Sequence, residues 1–580
     1  MIEPKWGLWF VPIALLPWGI RVAAGQFPFQ RTSLDWLVAI FLVTAWVGYW
    51  AAYDKTTAWI KVWLIMLAIL VYYALVAQPK ENLFWISILF FCVGVSISLY
   101  FLLTYDFVAA PRKIEFVNHI GRWIMRYRPQ TGWDSLHPNY MSGFVAITTP
   151  LILYPTWIMR KNIAQRKNLF FLFVLVGSGI AFFALFMATS RGVVMAIVSG
   201  LGVWLLWRFI NFNGSKNKVK RDASFPFLVL VYLCVIVAVL YIGPAHSEGA
   251  ISGNYYYGDG SRAELFSRSL YLLGDYPITG GGLGSFPGLY SQYLLNIPYF
   301  NVPNSHNLFL DVAIEQGIFG GASFILMYLA SIWFVSHSLM QDQATDAKLF
   351  KWTILFSLVV ALVHGMVDDY LFNGNGTIFS LFLVGLSLPA AQWDLPERSK
   401  RYQFDHRIVG FGLLALALLS MFNPAKVLST WYANLGAVQL SKVELDGFPD
   451  KGWSGSAIVS RLGIASKTLQ TSLRFDPDNL TANQRLGIIL MLSQDFESAS
   501  KYLETAYKVA PENRGIVKSL GYCYVWLGKM EKAAPFLAQI PEAQEELDVY
   551  TWWWVTQGRS DLSQNAMLAL LTFEARTNQP

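Results

Sequence analysis

Charge is scarce in this chain. Of 580 residues only 14% are Asp, Glu, Lys or Arg, while 55% are hydrophobic and 16% aromatic, and mean hydropathy is +0.41. Soluble domains carry charge on about a quarter of their residues, so most of this surface must be solvated by lipid. Cysteine is equally sparse. Cys92, Cys234 and Cys523 lie far apart, two of them in apolar runs, which excludes a disulfide scaffold, a zinc site and a thiol nucleophile. There is no phosphate loop ending in Gly-Lys-Ser/Thr, and "TGGGLGSFPG" (279–288) lacks the spacing and strand–helix context of a dinucleotide fingerprint, so its glycines read as turn formers. No cluster has metal-ligand spacing and no serine occupies a nucleophile elbow. No metal or cofactor is implied. The net charge of +7 does not point to nucleic acid, because the basic residues cluster in short loops between apolar runs, which is a topology signal. The first apolar run, after Met1-Ile2-Glu3-Pro4-Lys5, has no basic leader and no small-residue cleavage site, and reads as a span.

Long apolar runs are what the chain has in abundance. They fall at 7–23, 34–53, 58–77, 82–104, 140–158, 168–189, 191–210, 225–243, 307–337, 349–368, 374–391 and 407–422. The expected fold is all-α, with about twelve membrane spans in residues 1–422. The basic loops 160–167, 208–221 and 396–407 belong on the cytoplasmic side and are separated by even numbers of spans. Alternation then places outside the 105–139 loop, the junction Thr189-Ser190-Arg191, the 244–306 loop and everything after 422. With all twelve runs spanning, the N-terminus is outside; with eleven and a re-entrant first run, it is inside.

Two polar regions interrupt this pattern. The outer 105–139 loop is basic, and Ile114, Val117, Ile120 and Ile124 recur near helical spacing, which predicts an interfacial amphipathic helix anchored in lipid or gathering anionic head groups. Residues 423–580 form a second region. There Ala465, Ala499 and Ala533 recur every 34 residues, as do Gly487 and Gly521, and Pro477 and Pro511. That period and spacing predict tetratricopeptide-type helical hairpins, an extracytoplasmic α-helical domain that binds a protein partner or braces the membrane part.

The residues with chemical potential gather on the outer face. Arg191 stands between two apolar runs, either snorkelling to the interface or serving an anion. Arg262 and Arg268 lie six apart in the long outer loop; they are solvated loop charges or forks for phosphate. Asn304 or Ser305 is placed to cap the helix that follows, so His306 is expected in its first turn, with Asn307 beside it. Helix N-termini disfavour a proton on imidazole and attract anions. A neutral imidazole there can take a proton from a hydroxyl while a phosphorylated group is held nearby; otherwise it merely hydrogen-bonds at the interface. Glu315 falls about two and a half turns further along that helix, where a carboxylate needs a partner from another helix. His364, Asp368 and Asp369, near the outer end of another span, orient a base, bind sugar or serve the fold.

Four stretches together resemble the O-antigen ligase and polymerase superfamily of membrane glycosyltransferases: "HPNYMSGF" (137–144), "TSRG" (189–192), "SRAELFSRSL…DYPITGGGLGSF" (261–286) and "HNLFLDVAIEQGIFGG" (306–321). The resemblance covers roughly 130–390. It implies a bacterial cytoplasmic-membrane enzyme that needs no metal and transfers a glycan from an undecaprenyl-pyrophosphate donor at the outer face, with inversion. His306 matches the base that activates the acceptor hydroxyl, and Arg191 and Arg262 match the arginines that hold pyrophosphate, with Arg268 a further candidate. The resemblance also draws Asn307, His137, Asn139, Glu315 and Asp368 into the substrate region. It leaves the acceptor open: lipid core, growing glycan or protein serine or threonine. The outer repeat domain tilts the reading toward polymerisation or protein glycosylation. A lipid-linked glycan transporter and a non-catalytic scaffold are the competing readings, although a flippase would line a cavity with charges from many spans.

Overall fold

The computed structural model describes residues 18–20, 22–25, 29–161, 167–212, 218–245, 262–294, 302–341, 345–393, 423–449 and 456–577. The described residues form helices and no strand. In the membrane part these are α1 (Asp35–Ala51), α2 (Lys55–Val76), α3 (Leu83–Thr104), α4 (Glu115–Tyr127), α5 (Pro138–Thr148), α6 (Leu153–Lys161), α7 (Lys167–Ala188), α8 (Arg191–Phe212), α9 (Lys218–Ala245), α10 (Arg262–Asp275), α11 (Phe286–Leu294), α12 (Leu308–Gln341), α13 (Thr345–Gly365) and α14 (Phe382–Ala391). Among the described residues eight helical stretches are long and apolar enough to cross a membrane, and Asp35–Ala51 and Ser224–Ala238 are shorter apolar helices. Ten of the expected runs thus fall on helices. The run 407–422 and the basic loop 396–407 lie outside the described residues, as do residues 7–17 and 21 of the first run and parts of the loops 160–167, 208–221 and 244–306.

The packing separates lipid-facing helices from a protein-facing centre. On α7, Leu169, Leu172, Leu175, Val176 and Phe182 are all more than half exposed, a stripe that only hydrocarbon can cover. By contrast α13 is buried along most of its length, and it packs against α8, α12, α14 and α5. In turn α12 packs on α1, α9 and α14.

Two spans depart from simple helices. Pro150 lies in a 3-10 turn, Thr149–Ile152, that joins α5 to α6; proline lacks the amide that a continuous α-helix needs there. The single helix expected over 307–337 is broken at Gly317, which adopts φ 77°, ψ 174°. Only glycine reaches that region without strain. The gap is filled by the glycine-rich turn after α10. The Gly281 amide donates to the Ile314 carbonyl at 2.7 Å, and the Ile318 amide donates to the Pro277 carbonyl at 2.8 Å. A Cβ on Gly317 would lie 2.4 Å from the Ile278 oxygen, and one on Gly280 2.4 Å from the Glu315 carbonyl.

The amphipathic helix expected in the 105–139 loop is α4. Its Val117 and Gly121 face inward, with Gly121 against Phe107, while Phe116, Trp123 and Tyr127 are exposed. Arg128 donates to the carbonyls of Leu102 and Tyr105 at the end of α3, and Arg112 to that of Ala188 at the end of α7. These bonds fix α4 level with the ends of two spans.

The C-terminal region contains α15 (Pro424–Glu444), α16 (Ser456–Arg461), α17 (Gly463–Phe475), α18 (Leu480–Leu492), α19 (Phe496–Val509), α20 (Arg514–Trp526), α21 (Met530–Leu537), α22 (Ala543–Thr556) and α23 (Ser560–Thr577). The repeat positions do the packing their size allows. Gly487 admits Leu503, Gly521 admits Leu537, and Ala465, Ala499 and Ala533 are buried. Asn479 and Asn513, also 34 apart, cap α18 and α20 through their side-chain oxygens. The region does not stand apart from the membrane part: Arg485, fully buried, pairs with Asp275 of α10 at 2.5 Å, and Thr481 donates to the same carboxylate at 2.7 Å.

Candidate active site

The beginnings of α5, α8 and α12 and the end of α13 meet at one face. Gly143 of α5 leaves room for His364, since a Cβ there would lie 2.7 Å from the ring; Gly192 of α8 packs on Val367 and on the same imidazole. Gly365 packs on Leu308 and Phe309 of α12.

At the mouth of α12 the cap is Asn307, and neither Asn304 nor Ser305. Its side-chain oxygen accepts from the Phe309 and Leu310 amides at 3.1 Å each, and its Nδ2 donates to the Met366 carbonyl at 3.2 Å. Asn307 prevails because it alone can satisfy both the helix amides and the end of α13. His306 therefore stands one residue before the cap, outside the first turn, in a left-handed bend with φ 55°. A non-glycine residue in that region costs about 1–3 kcal/mol and needs its surroundings to hold it. They do: the His306 amide donates to Asn304 Oδ1 at 3.0 Å, and the Ser305 amide donates to Asp311 Oδ1 at 2.9 Å. The imidazole is half-buried.

Tyr140 ties this bend to its neighbours. Its hydroxyl donates to Asp369 Oδ1 at 3.1 Å and accepts from Asn304 Nδ2 at 3.0 Å and Asn373 Nδ2 at 2.8 Å. Asp369 is buried, and that burial, with the adjacent Asp368 carboxylate, raises it to about 7. Asp368 is buried and accepts from the Asp369 amide at 3.0 Å. His137 is exposed, its ring 5.1 Å from that of Tyr140, and Asn139 is half-buried behind it.

Glu315 has the partner that its place in a span demands. Lys61 of α2 approaches it at 2.7 Å and also lies 3.9 Å over the Phe372 ring. Arg191 is the first residue of α8 and is exposed beside Gly192. The strained Thr189 before it, φ 47°, is held by Arg112, whose Nε donates to Thr189 Oγ1 at 3.2 Å. Arg262 opens α10, and its side chain lies outside the described residues. Arg268 is buried within electrostatic reach of Tyr293 and is not on an open face. Among the described residues no three His, Cys, Asp or Glu side chains are grouped to hold a metal ion.

The structure thus assembles His306, Asn307, His364, Asp368 and Asp369 with Tyr140 and Asn304, and places Arg191 next to them in the chain fold. Sequence reasoning passed over Tyr140, Lys61 and Arg112, and gave Asn304 only as a helix cap. Lys61 had a legible signal as the lone cation in an apolar run; Tyr140 and Arg112 are ordinary polar residues until their partners are known.

Comparison with known families gives two matches. Residues 173–325 match the family described as O-Antigen ligase, a stretch that runs from α7 into α12 and includes Arg191, Arg262, Arg268, His306, Asn307 and Glu315. Residues 490–550 match the tetratricopeptide repeat. No curated protein and no solved structure matched the chain. Residues 173–325 are thus similar to O-antigen ligases and residues 490–550 to tetratricopeptide repeats, in a chain whose long apolar helices make it a multi-pass membrane protein.

Proposed function

We propose that this protein transfers a glycan from a polyprenyl-pyrophosphate carrier to an acceptor hydroxyl at the outer face of a bacterial cytoplasmic membrane. The observation that carries the reading is the strained, buttressed bend that presents His306 within the segment matching O-antigen ligases. The His306 imidazole takes the acceptor proton as the acceptor oxygen bonds to the anomeric carbon. The bond from that carbon to the pyrophosphate oxygen breaks, and configuration inverts. Arg191 and Arg262 neutralise the departing lipid pyrophosphate, a leaving group good enough that arginine charge replaces a metal. The proton then leaves His306 to solvent or to the released phosphate.

The decisive experiment incubates the purified protein, in lipid, with a polyprenyl-pyrophosphate oligosaccharide, with and without chelator. Freed lipid pyrophosphate with glycan growth, lost in His306→Ala while the variant unfolds as wild type does, supports a polymerase. Release only on adding lipid core or an acceptor protein makes the enzyme a ligase or a protein O-oligosaccharyltransferase. Absence of release with every acceptor refutes the proposal and returns the protein to the transporter reading.

A further inference from the structure

One face of the tetratricopeptide region is already occupied by the chain itself. Asn434 of α15, almost fully buried, accepts from the Ile278 and Thr279 amides at 2.9 and 3.0 Å and donates to Thr279 Oγ1 at 2.7 Å. Asp275 is held by Arg485 and Thr481 of α18. Gln292 of α11 bonds Glu444 of α15, and the Tyr293 hydroxyl donates to Asn513, the cap of α20, at 3.0 Å. These contacts come from the first helices of successive hairpins or from their caps. The face they share takes residues 275–293 as its ligand.

The other side of that ligand is keyed into α12. The same turn that Asn434 grips sends the Gly281 amide to Ile314 and the Pro277 carbonyl to Ile318, on either side of the Gly317 break. Residues 308–316 are thereby a short helix held at two ends. Asn307 and Asp311 secure the end that presents His306; the turn 277–281 secures the other.

We propose that the tetratricopeptide region is an intramolecular clamp and that Asn434 is a positioning residue, acting through turn 277–281 to fix the short helix beneath His306. The proposal rests on the glycan-transfer reading. Loosening the turn frees the short helix to tilt about Gly317, and a misplacement of about 1 Å is enough to cost on the order of a hundredfold in rate.

The test uses the full-length protein in lipid nanodiscs, comparing wild type, Asn434→Ala, Asn434→Asp and Thr279→Val. Hydrogen exchange is read at the Gly281 and Ile318 amides and across 514–556, alongside the kcat of glycan transfer and the KM for donor. In Asn434→Ala exchange at those two amides accelerates by at least about tenfold with 514–556 unchanged, and kcat falls by about tenfold or more with donor KM within about twofold. Asn434→Asp keeps an acceptor for both turn amides and recovers most of kcat. Thr279→Val, which removes the bond from Asn434 Nδ2 and the one its hydroxyl gives the Gly280 carbonyl but leaves both turn amides on Asn434, moves both readouts the same way by less and serves if Asn434→Ala does not fold. Unchanged exchange at Gly281 and Ile318 overturns the clamp, as does faster exchange with kcat intact. Failure of the wild type to transfer glycan refutes the transferase reading instead, and the exchange data then decide the clamp alone.

Discussion

Replacing Gly317 by alanine tests the keystone of the site. The backbone there, at φ 77° and ψ 174°, is a region that only glycine occupies without strain, and an alanine forced into it costs about 1–3 kcal/mol. The added Cβ would also lie 2.4 Å from the Ile278 oxygen and 2.8 Å from its carbon. Those atoms are backbone and cannot swing aside, so the turn 277–281 has to withdraw. Withdrawal breaks the hydrogen bonds from Gly281 to Ile314 and from Ile318 to Pro277, each worth about 1 kcal/mol. The sum is about 3–5 kcal/mol, read as ΔΔG in a denaturant titration of the protein in mixed micelles. Gly179→Ala is the control. It sits inside α7 with nothing within 4 Å of the new Cβ, so it is expected to change stability by about 1 kcal/mol or less, in the favourable direction. A loss below about 1 kcal/mol for Gly317→Ala would show that the Ile278 carbonyl does not pack in the break, and the reasoning fails.

Two further outcomes follow from the charges around the site. Lys61→Met strands the buried Glu315 carboxylate 2.7 Å from where its partner was, and is expected to cost about 3–5 kcal/mol. Lys61→Met combined with Glu315→Gln should regain more than half of that loss, and a double-mutant cycle with coupling under about 0.5 kcal/mol would count against the pair. The second concerns pH. Burial and then Asp368 raise Asp369 to about 7, above its unfolded value near 3.9. Its contribution to stability is full below about pH 4 and is lost as pH climbs to about 7, because the folded chain retains a proton that the unfolded chain releases. Wild type should therefore lose stability relative to Asp369→Asn between those values, with Tyr140 still able to donate to the amide oxygen. Parallel unfolding curves for the two proteins at pH 5 and pH 8 would contradict that assignment.

Much of the architecture was legible because its signals are local. Hydropathy located ten described helices, helical spacing of Ile114, Val117, Ile120 and Ile124 located α4, and a period of 34 residues located the hairpins. The break at Gly317 was not legible. A glycine inside an apolar run leaves hydropathy unchanged, and what opens the helix there is a turn about 40 residues earlier that supplies the missing hydrogen bonds. The cap followed the same logic. Asn304, Ser305 and Asn307 are all good capping residues, and the Met366 carbonyl is what selects Asn307.

By itself the sequence determined that this is a helical membrane protein, that a repeat region follows the spans, and that an imidazole stands at the threshold of a helix in a ligase-like segment. Composition and period settle such matters because burial in lipid and stacking of repeats act on every turn alike. Tertiary structure alone decided which residues hold His306 in its bend, that Lys61 answers Glu315 across 254 residues of chain, that Arg268 is buried near Tyr293, and that the C-terminal region grips the glycine-rich turn. Each of these is a pairing between distant segments, and a polar group's partner is settled only when the chain has brought both into the same few ångströms.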